Sequence, residues 1–539
     1  MRNDIFIRLG MFLLVFLQGF LSFGKTEKPN GFRVLSSAPD GKTVLEFSMR
    51  SYMLVAAPGL KELSLLKAEG GAALLEAGAP DLLQFSASLV IPDLGTMQFR
   101  ILEVETAVIQ DIRLAPSKGN LLRTINPADL PYQFGSIYSS DTWFPTNQVE
   151  LQSPYIFRDL RGQSISVRPF RYNPVRQELE VTKRIVVEVY PEDSALPGIN
   201  EINRATAEPV LTSDFLSVYE RRFINLPWLQ YQPSPENSRM LVICHDSWVP
   251  LMQPFVNWKR QRGMEVELVD VTSVGSTASG ISQFIASRYQ SDSISFVLLV
   301  GDAAYCPTPT PNGSAADPTY GFVVGSDAYA EVFIGRFSAE SDADVITQVQ
   351  RSIAYERDAI PTDASFGRGV VIGSDQGPGD DNEMDWEHAV NMRSDLLAFT
   401  YTDVAELYDG THPSTTDAPG DPGPADLFNL FQQGIGVMTY TGHGSTTSCS
   451  TTAWSNRAVQ NMTTTRRLPF IWSVACVNGD FASPGSGPCF AETFLRAQVN
   501  GQPTGAVATL MSSINQSWNP PMDGQDEMVD LLVQAVPGH

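Results

Sequence analysis

The sequence predicts an all-β module followed by an α/β module, and three observations carry that prediction. Up to about Gln230, segments alternating apolar and polar residues are separated by Pro and Gly, the period of half-buried strands. Beyond it, continuous apolar runs alternate with amphipathic segments, as in a mainly parallel sheet covered by helices on both faces. All five cysteines, at 244, 306, 449, 476 and 489, lie in that second part.

A chain of 539 residues exceeds what one hydrophobic core needs, so two to four domains are expected. At 43% hydrophobic and 18% charged residues it is neither disordered nor fibrous. Sixty acidic side chains against 37 Lys and Arg give a net charge of −23 with no local basic patch, which argues against nucleic acid or an anionic membrane as partner. The acid excess suits solubility and carboxylate sites for hard cations.

In chain order, Arg2 and Arg8 precede the apolar run Met11 to Leu17, and the small residues Ser22 and Gly24 precede Lys25. Residues 1–24 therefore read as a cleaved signal peptide, and the mature chain as secreted or cell-surface; the alternative, an uncleaved anchor, has a short apolar run for a bilayer. Residues 25–230 form the β-rich module, with strands expected at Thr43 to Met49 and Leu179 to Tyr190 and a mixed connection from Gly198. It must hold together without disulfides. The polar segment Tyr231 to Ser238, with two prolines, reads as a linker.

The α/β module then offers strands at 240–243, 296–300, 370–372, 435–440, 470–474 and 506–511. Helices are expected at 249–262, 281–289, 345–357, 386–400, 427–433 and 490–499, and the module divides into 231–375 and 376–539. The Pro- and Gly-rich stretch Asp409 to Ala425 suits an exposed insertion near the edge of a site.

In such sheets ligands bind beyond the carboxyl ends of the strands. One strand is followed by Thr441-Gly442-His443-Gly444-Ser445, the next by Ala475-Cys476-Val477-Asn478-Gly479-Asp480. Their separation fits one strand-to-strand crossover, so imidazole and thiol become neighbours, the minimal pairing of a nucleophile with its base. The glycines flanking His443 let a substrate carbonyl approach the backbone. Structural alternatives stand beside this: a tight turn at Gly442-His443-Gly444, a buried thiol at Cys476, or a Cys476–Cys489 disulfide. Zinc spacing is absent.

At these residues the chain resembles the gingipain family of caspase-like cysteine peptidases. The resemblance rests on Tyr440 to Ser445, Val474 to Phe481, Pro488 to Glu492, Ile514 to Trp518 and Gly524 to Met528. Val300-Gly-Asp302, Glu331 to Arg336 and Tyr355 to Arg357 extend it across about 239–528, and the front module matches the family's β-rich pro-domain by position. It implies a caspase-like α/β/α catalytic module of two subdomains and a secreted cysteine endopeptidase acting on protein or peptide substrates. A processing peptidase or transpeptidase cutting sorting signals, with export machinery as partner, and a non-catalytic surface scaffold are the alternatives.

Carried onto this chain, the resemblance makes Cys476 the nucleophile and His443 the base and acid, with the N–H groups of Gly444 and Cys476 as oxyanion hole. Glu383 is the matching orienting acid and Asp385 the second candidate, in a cluster that also reads as a helix N-terminus, and the two readings are compatible. His388, on the helix that follows, reads as a packing or capping residue. The arginine selector's position falls at Ser394, with Asp395 one step on, and the lysine selector's region reads Ile514-Asn515-Gln516. Neither selecting charge is in register, so Ser394, Asp395, Asn515 and Trp518 are substrate-binding candidates without an assigned preference. Calcium, structural in the family, would fall on Asp327 and Glu331, where a solvated loop is the alternative; no organic cofactor is implied. The pro-domain is a partner of the catalytic module, and its junction aligns near Gln230-Tyr231, downstream of Arg221-Arg222. Because the family continues beyond the match to Met528, the second subdomain is expected to be cut short at His539.

Overall fold

The computed structural model describes residues 30–193, 197–204, 209–229, 231, 238–360, 362–465, 468–482 and 487–533. The expected signal peptide and most of the expected linker lie outside the described residues. In the front module, alternation of apolar and polar residues builds two antiparallel sheets that close on one another. One orders Asn30–Ser37, Thr43–Met49, Glu178–Pro191 and Phe170–Asn173, with Met97–Ile109 also paired to the long strand Glu178–Pro191. The other is built around Leu83–Val90 and Leu160–Val167. Phe47, Phe85, Ile165, Phe170 and Ile185 share one core between them, which replaces the missing disulfides. The mixed connection contains a helix, Ser213–Arg222, that buries Phe215 and Tyr219 against the second sheet's edge.

The α/β module contains two fully parallel sheets. The first orders Glu265–Asp270, Arg239–Cys244, Phe296–Val300 and Phe333–Phe337. The second orders Asp403–Tyr408, Arg368–Gly373, Val437–Thr441, Phe470–Val474 and Ala508–Met511. Because Arg368–Gly373 belongs to the second sheet, the subdomains part between Arg357 and Arg368 rather than after 375. The expected strands and helices are present. Glu265–Asp270, Phe333–Phe337 and Asp403–Tyr408 were not expected, and all three carry half-exposed or charged residues that break the apolar run.

Each sheet has a core on both faces, as buried parallel strands require. On the second sheet, Ala389, Met392 and Leu396 of helix Asp385–Phe399 cover one face with Met528 and Val529 of helix Asn519–Leu532. Leu427, Phe431, Val459, Phe490 and Phe494 cover the other. In both sheets the second strand of the subdomain lies outside the first and the third inside it, so the winding direction reverses between the first and third strands. In a doubly wound sheet that reversal opens a crevice at the carboxyl ends.

Candidate active site

At the reversal of the second sheet, strand Arg368–Gly373 runs into Ser374-Asp375-Gln376 and strand Val437–Thr441 into Gly442-His443. Gly373 is required here, because a Cβ would stand 2.7 Å from the Asp385 carbonyl oxygen, and its absence lets helix Asp385–Phe399 begin against the strand end. The Gln376 N–H donates to Ser374 Oγ (3.3 Å), and the Gln376 carbonyl accepts from the Asp385 N–H (3.0 Å). Across the crevice, His443 Nε2 and Gln376 Oε1 are 2.6 Å apart. The Tyr440 hydroxyl donates to the His443 carbonyl at 2.6 Å and fixes the loop from behind.

The next strand, Phe470–Val474, delivers Cys476. Asn478 joins the two loops: its Nδ2 donates to Ser445 O (2.6 Å) and Ser448 O (3.1 Å), and its Oδ1 accepts from Ser473 Oγ at 2.9 Å. The Gly442 N–H donates to Val474 O at 3.2 Å. A Cβ on Gly444 would lie 2.7 Å from Asn478 Nδ2 and 2.9 Å from Ala475 Cβ, so glycine permits the close approach of histidine loop to cysteine loop. After Cys476 the chain turns through Val477 at φ 50°, a region that β-branched residues avoid. Bonds from Val477 N to Ile514 O (3.0 Å) and Gly479 N to Ser512 O (2.8 Å) hold that turn. Strain of this kind is kept where a side chain must be aimed.

The front module enters the same crevice. Residues 121–123 run antiparallel to 516–518: Arg123 N–H donates to Gln516 O (2.8 Å) and Trp518 N–H to Leu121 O (3.0 Å). The fully buried Arg123 guanidinium then makes two 3.0 Å bonds to the two oxygens of Asp385, itself fully buried. Ser374 Oγ donates to the same carboxylate at 2.6 Å. The guanidinium stacks on Trp518, 4.3 Å from the ring centre, and Trp518 meets the His443 ring edge-on at 6.3 Å. Burial lowers the basicity of His443; Asp385 opposes that effect and Arg123 adds to it.

Comparison with known proteins gives the family. The model of peptidase family C25 matches residues 233–536, and that of the C25 propeptide matches 23–222. The chain belongs to peptidase family C25. It is 38% identical over 477 residues to gingipain R2 of Porphyromonas gingivalis, covering 87% of this chain and 63% of that protein. It is 36% identical over 516 residues to gingipain R1 of the same species, covering 94% of this chain and 50% of that one. The chain thus spans half to under two thirds of these relatives' length. Among solved structures, the complex of P. gingivalis RgpB pro- and mature domains matches with TM-score 0.52 and 40% identity, over 55% of this chain and 69% of that chain. The Arg-specific cysteine proteinase gingipain R matches equally, with TM-score 0.52 and 40% identity over 56% and 69%.

Within this C25 chain the sequence-based candidates separate. His443 meets Trp518 edge-on, Gly444 lies against Asn478 and Ala475, and Cys476 is buried just past its strand; all five cysteines are free, which removes the Cys476–Cys489 disulfide. Glu383 does not reach His443. Its Oε1 accepts from Asn391 Nδ2 (2.7 Å), its Oε2 lies 4.0 Å from His388 Nδ1, and the place beside His443 Nε2 belongs to Gln376. Burial pushes Glu383 up to about 7, Asp380 to about 7 and Asp381 to about 8, with neighbouring carboxylates adding to each. His388 packs, buried, with Asp526 Oδ1 at 3.5 Å from its Nδ1, and burial lowers it to about 4.

The guanidinium is received by Asp385 rather than by Ser394 or Asp395. Those two are exposed on the helix Asp385–Phe399, roughly 15 Å along its axis from Asp385. Asn515 is exposed as well, and it is the backbone of its neighbour Gln516 that meets Arg123.

The acids expected to bind calcium are engaged differently. Asp327 Oδ2 accepts from the Ile156 N–H (2.9 Å) and Asn200 Nδ2 (3.0 Å), both in the front module, and Oδ1 from the Tyr329 N–H (3.0 Å). Glu331 Oε2 accepts from Val323 and Val324 N–H, which leaves Oε1 as the one buried carboxylate oxygen of the pair without a partner among the described residues. No three His, Cys, Asp or Glu side chains gather at ligand spacing among the described residues. With its front module docked, this arrangement does not fit a shell of six to eight oxygens.

Gln376, Asp385 as guanidinium receptor, and Arg123 escaped sequence reasoning. Gln376 carries no charge to draw attention, and Arg123 sits in an irregular stretch of the other module. The one available signal was its isolation as a basic residue between Leu122 and Thr124.

Proposed function

We propose that this chain is the latent form of a secreted cysteine endopeptidase that cleaves after arginine, with Arg123 of its own pro-module occupying the arginine pocket. The observation that carries the reading is the Arg123–Asp385 pair: a fully buried bidentate ion pair, stacked on the indole that also touches His443. A planar fork bound by both carboxylate oxygens is selective for guanidinium over ammonium. Residues 121–123 also occupy the backbone edge at 516–518 to which an extended peptide would add, so the peptide bond after Arg123 falls toward the histidine and cysteine loops.

In the working cycle His443 takes the Cys476 Sγ proton, and the thiolate attacks the carbonyl carbon of the residue held by Asp385. The oxygen gathers negative charge beside the N–H groups of Gly444 and Cys476. Ser450 N–H donates to His443 O, so the alternation of an antiparallel hairpin turns the Gly444 N–H outward, toward that charge. Collapse breaks the C–N bond as His443 returns its proton to the leaving amine. Water, deprotonated by His443, then attacks the thioester and releases the carboxylate product and the free thiol. Secretion rests on the leader-like residues 1–24.

The test is covalent labelling. Full-length protein nicked in the 223–238 segment is exposed to peptidyl acyloxymethyl ketones ending in arginine or lysine. Labelling confined to Cys476, lost in Cys476→Ala and about 100-fold faster with the arginyl probe, is expected. Labelling that survives Cys476→Ala, or shows no arginine preference, overturns the reading.

A further inference from the structure

The group that fixes the imidazole is a neutral amide. The charged groups felt by His443 are Asp385, from helix Asp385–Phe399, and Arg123, from the pro-module, and these two are paired with each other. Neither reaches the ring nitrogens by a hydrogen bond. Among the described residues, the imidazole's hydrogen bond is the 2.6 Å contact between Nε2 and Gln376 Oε1. Gln376 is in turn held at both backbone ends, by Ser374 Oγ and by the Asp385 N–H, so its position is set by the crevice walls and not by a flexible loop.

We propose that Gln376 is the positioning residue of the histidine, its amide oxygen holding the proton on Nε2 and leaving Nδ1 as the basic nitrogen. This deepens the peptidase reading and rests on it. An amide oxygen is an acceptor only, so a neutral imidazole facing it must present N–H at Nε2. A carboxylate would do the same and also stabilise the imidazolium; an amide supplies only its dipole. Gln376 therefore selects the tautomer with little gain in basicity, and the histidine gives up its proton readily in the step that expels the amine. Because Ser374 holds both the Gln376 backbone and the Asp385 carboxylate, the histidine's support and the arginine pocket share one anchor.

Two measurements test this, and one needs no activity. In full-length protein with labelled histidine nitrogens, identified by comparison with His443→Ala, His443 is expected as a single Nε2–H tautomer. In Gln376→Leu that signal becomes a tautomer mixture, whereas Gln376→Glu keeps it. In nicked protein, Gln376→Leu is expected to lower kcat about 100-fold on an arginyl amide with KM within about twofold. Gln376→Glu restores kcat and moves the acid limb of kcat/KM to higher pH by about one unit, because a carboxylate stabilises the imidazolium. An unchanged tautomer in Gln376→Leu overturns the proposal, as does an unchanged kcat. If no variant or wild type hydrolyses substrate, the peptidase reading fails while the tautomer measurement still decides the role of Gln376.

Discussion

The two parallel sheets of the α/β module share one winding, yet their carboxyl edges are filled differently. At the reversal of the first sheet, strand Arg239–Cys244 ends in His245, whose Nδ1 is bonded to Ser247 Oγ (2.8 Å) and whose ring packs against Trp248 and Tyr305. Its neighbour Phe296–Val300 ends near Asp302, tied to Arg496 of the second subdomain at 3.3 Å. Arg496 also reaches Glu340 at 3.2 Å, and Glu492, so this strand end is filled by the seam between subdomains. At the reversal of the second sheet, by contrast, Gly373, Gly442 and Gly444 keep side chains out, and a residue from another module fills the space. Topology nominates an edge; the residues emitted there decide whether it binds or merely packs.

Variants can break or sharpen that contrast. The largest effect is expected from Arg123→Ala, which leaves Asp385 buried and unpaired at a cost of about 3–5 kcal/mol. Urea unfolding of the full chain should show the loss, and the Cys476 thiol should become alkylable. Arg496→Met is expected to cost about 3 kcal/mol by stranding Glu492, yet to leave the thiol covered; equal exposure in both variants would erase the distinction. Gly444→Ala forces a Cβ against Asn478 and Ala475 and should cost about 1–3 kcal/mol while lowering turnover through separation of the two loops. His245→Ala, measured the same way, should cost about 1 kcal/mol and leave turnover unchanged.

The last effect is a slope. Burial, first of all, holds Asp302 up at about 6 at the first sheet and Asp380, Asp381 and Glu383 at about 7, 8 and 7 at the second. Carboxyls with raised folded values keep protons that the unfolded chain releases, so this contribution is fullest below about pH 4 and is lost as pH rises. Asp302→Asn should flatten the decline between about pH 4 and 6, and Asp381→Asn the part reaching about pH 8, both followed by thermal unfolding against pH.

The strands that read clearly in sequence are those buried on both faces, such as Phe296–Val300 and Val437–Thr441, because burial demands an unbroken apolar run. Phe333–Phe337 and Asp403–Tyr408 are sheet edges, and in each a buried charge with its own partner, Arg336 with Asp317 (2.7 Å) or Glu406 with Arg393 (3.7 Å), interrupts the apolar run. His443 and Cys476 drew attention in the sequence because each is a reactive residue emitted just past an apolar run, His443 between two glycines. The partners of His443 and Arg123 did not: acids crowd 380–387, and spacing alone cannot say which of them faces inward. The turn through Gly377-Pro378-Gly379 places Gln376 in the crevice and sends Glu383 away from it.

By itself the sequence determined the two-module order, the parallel α/β plan and the histidine and cysteine loops, since each follows from local periodicity and local residue chemistry. Only the tertiary structure decided that Gln376 faces His443, that Asp385 holds a guanidinium, and that Arg123 supplies it. Those three facts join segments 262 residues apart or lie on opposite sides of a crevice. A buried charge declares its partner only when the fold has removed water from both.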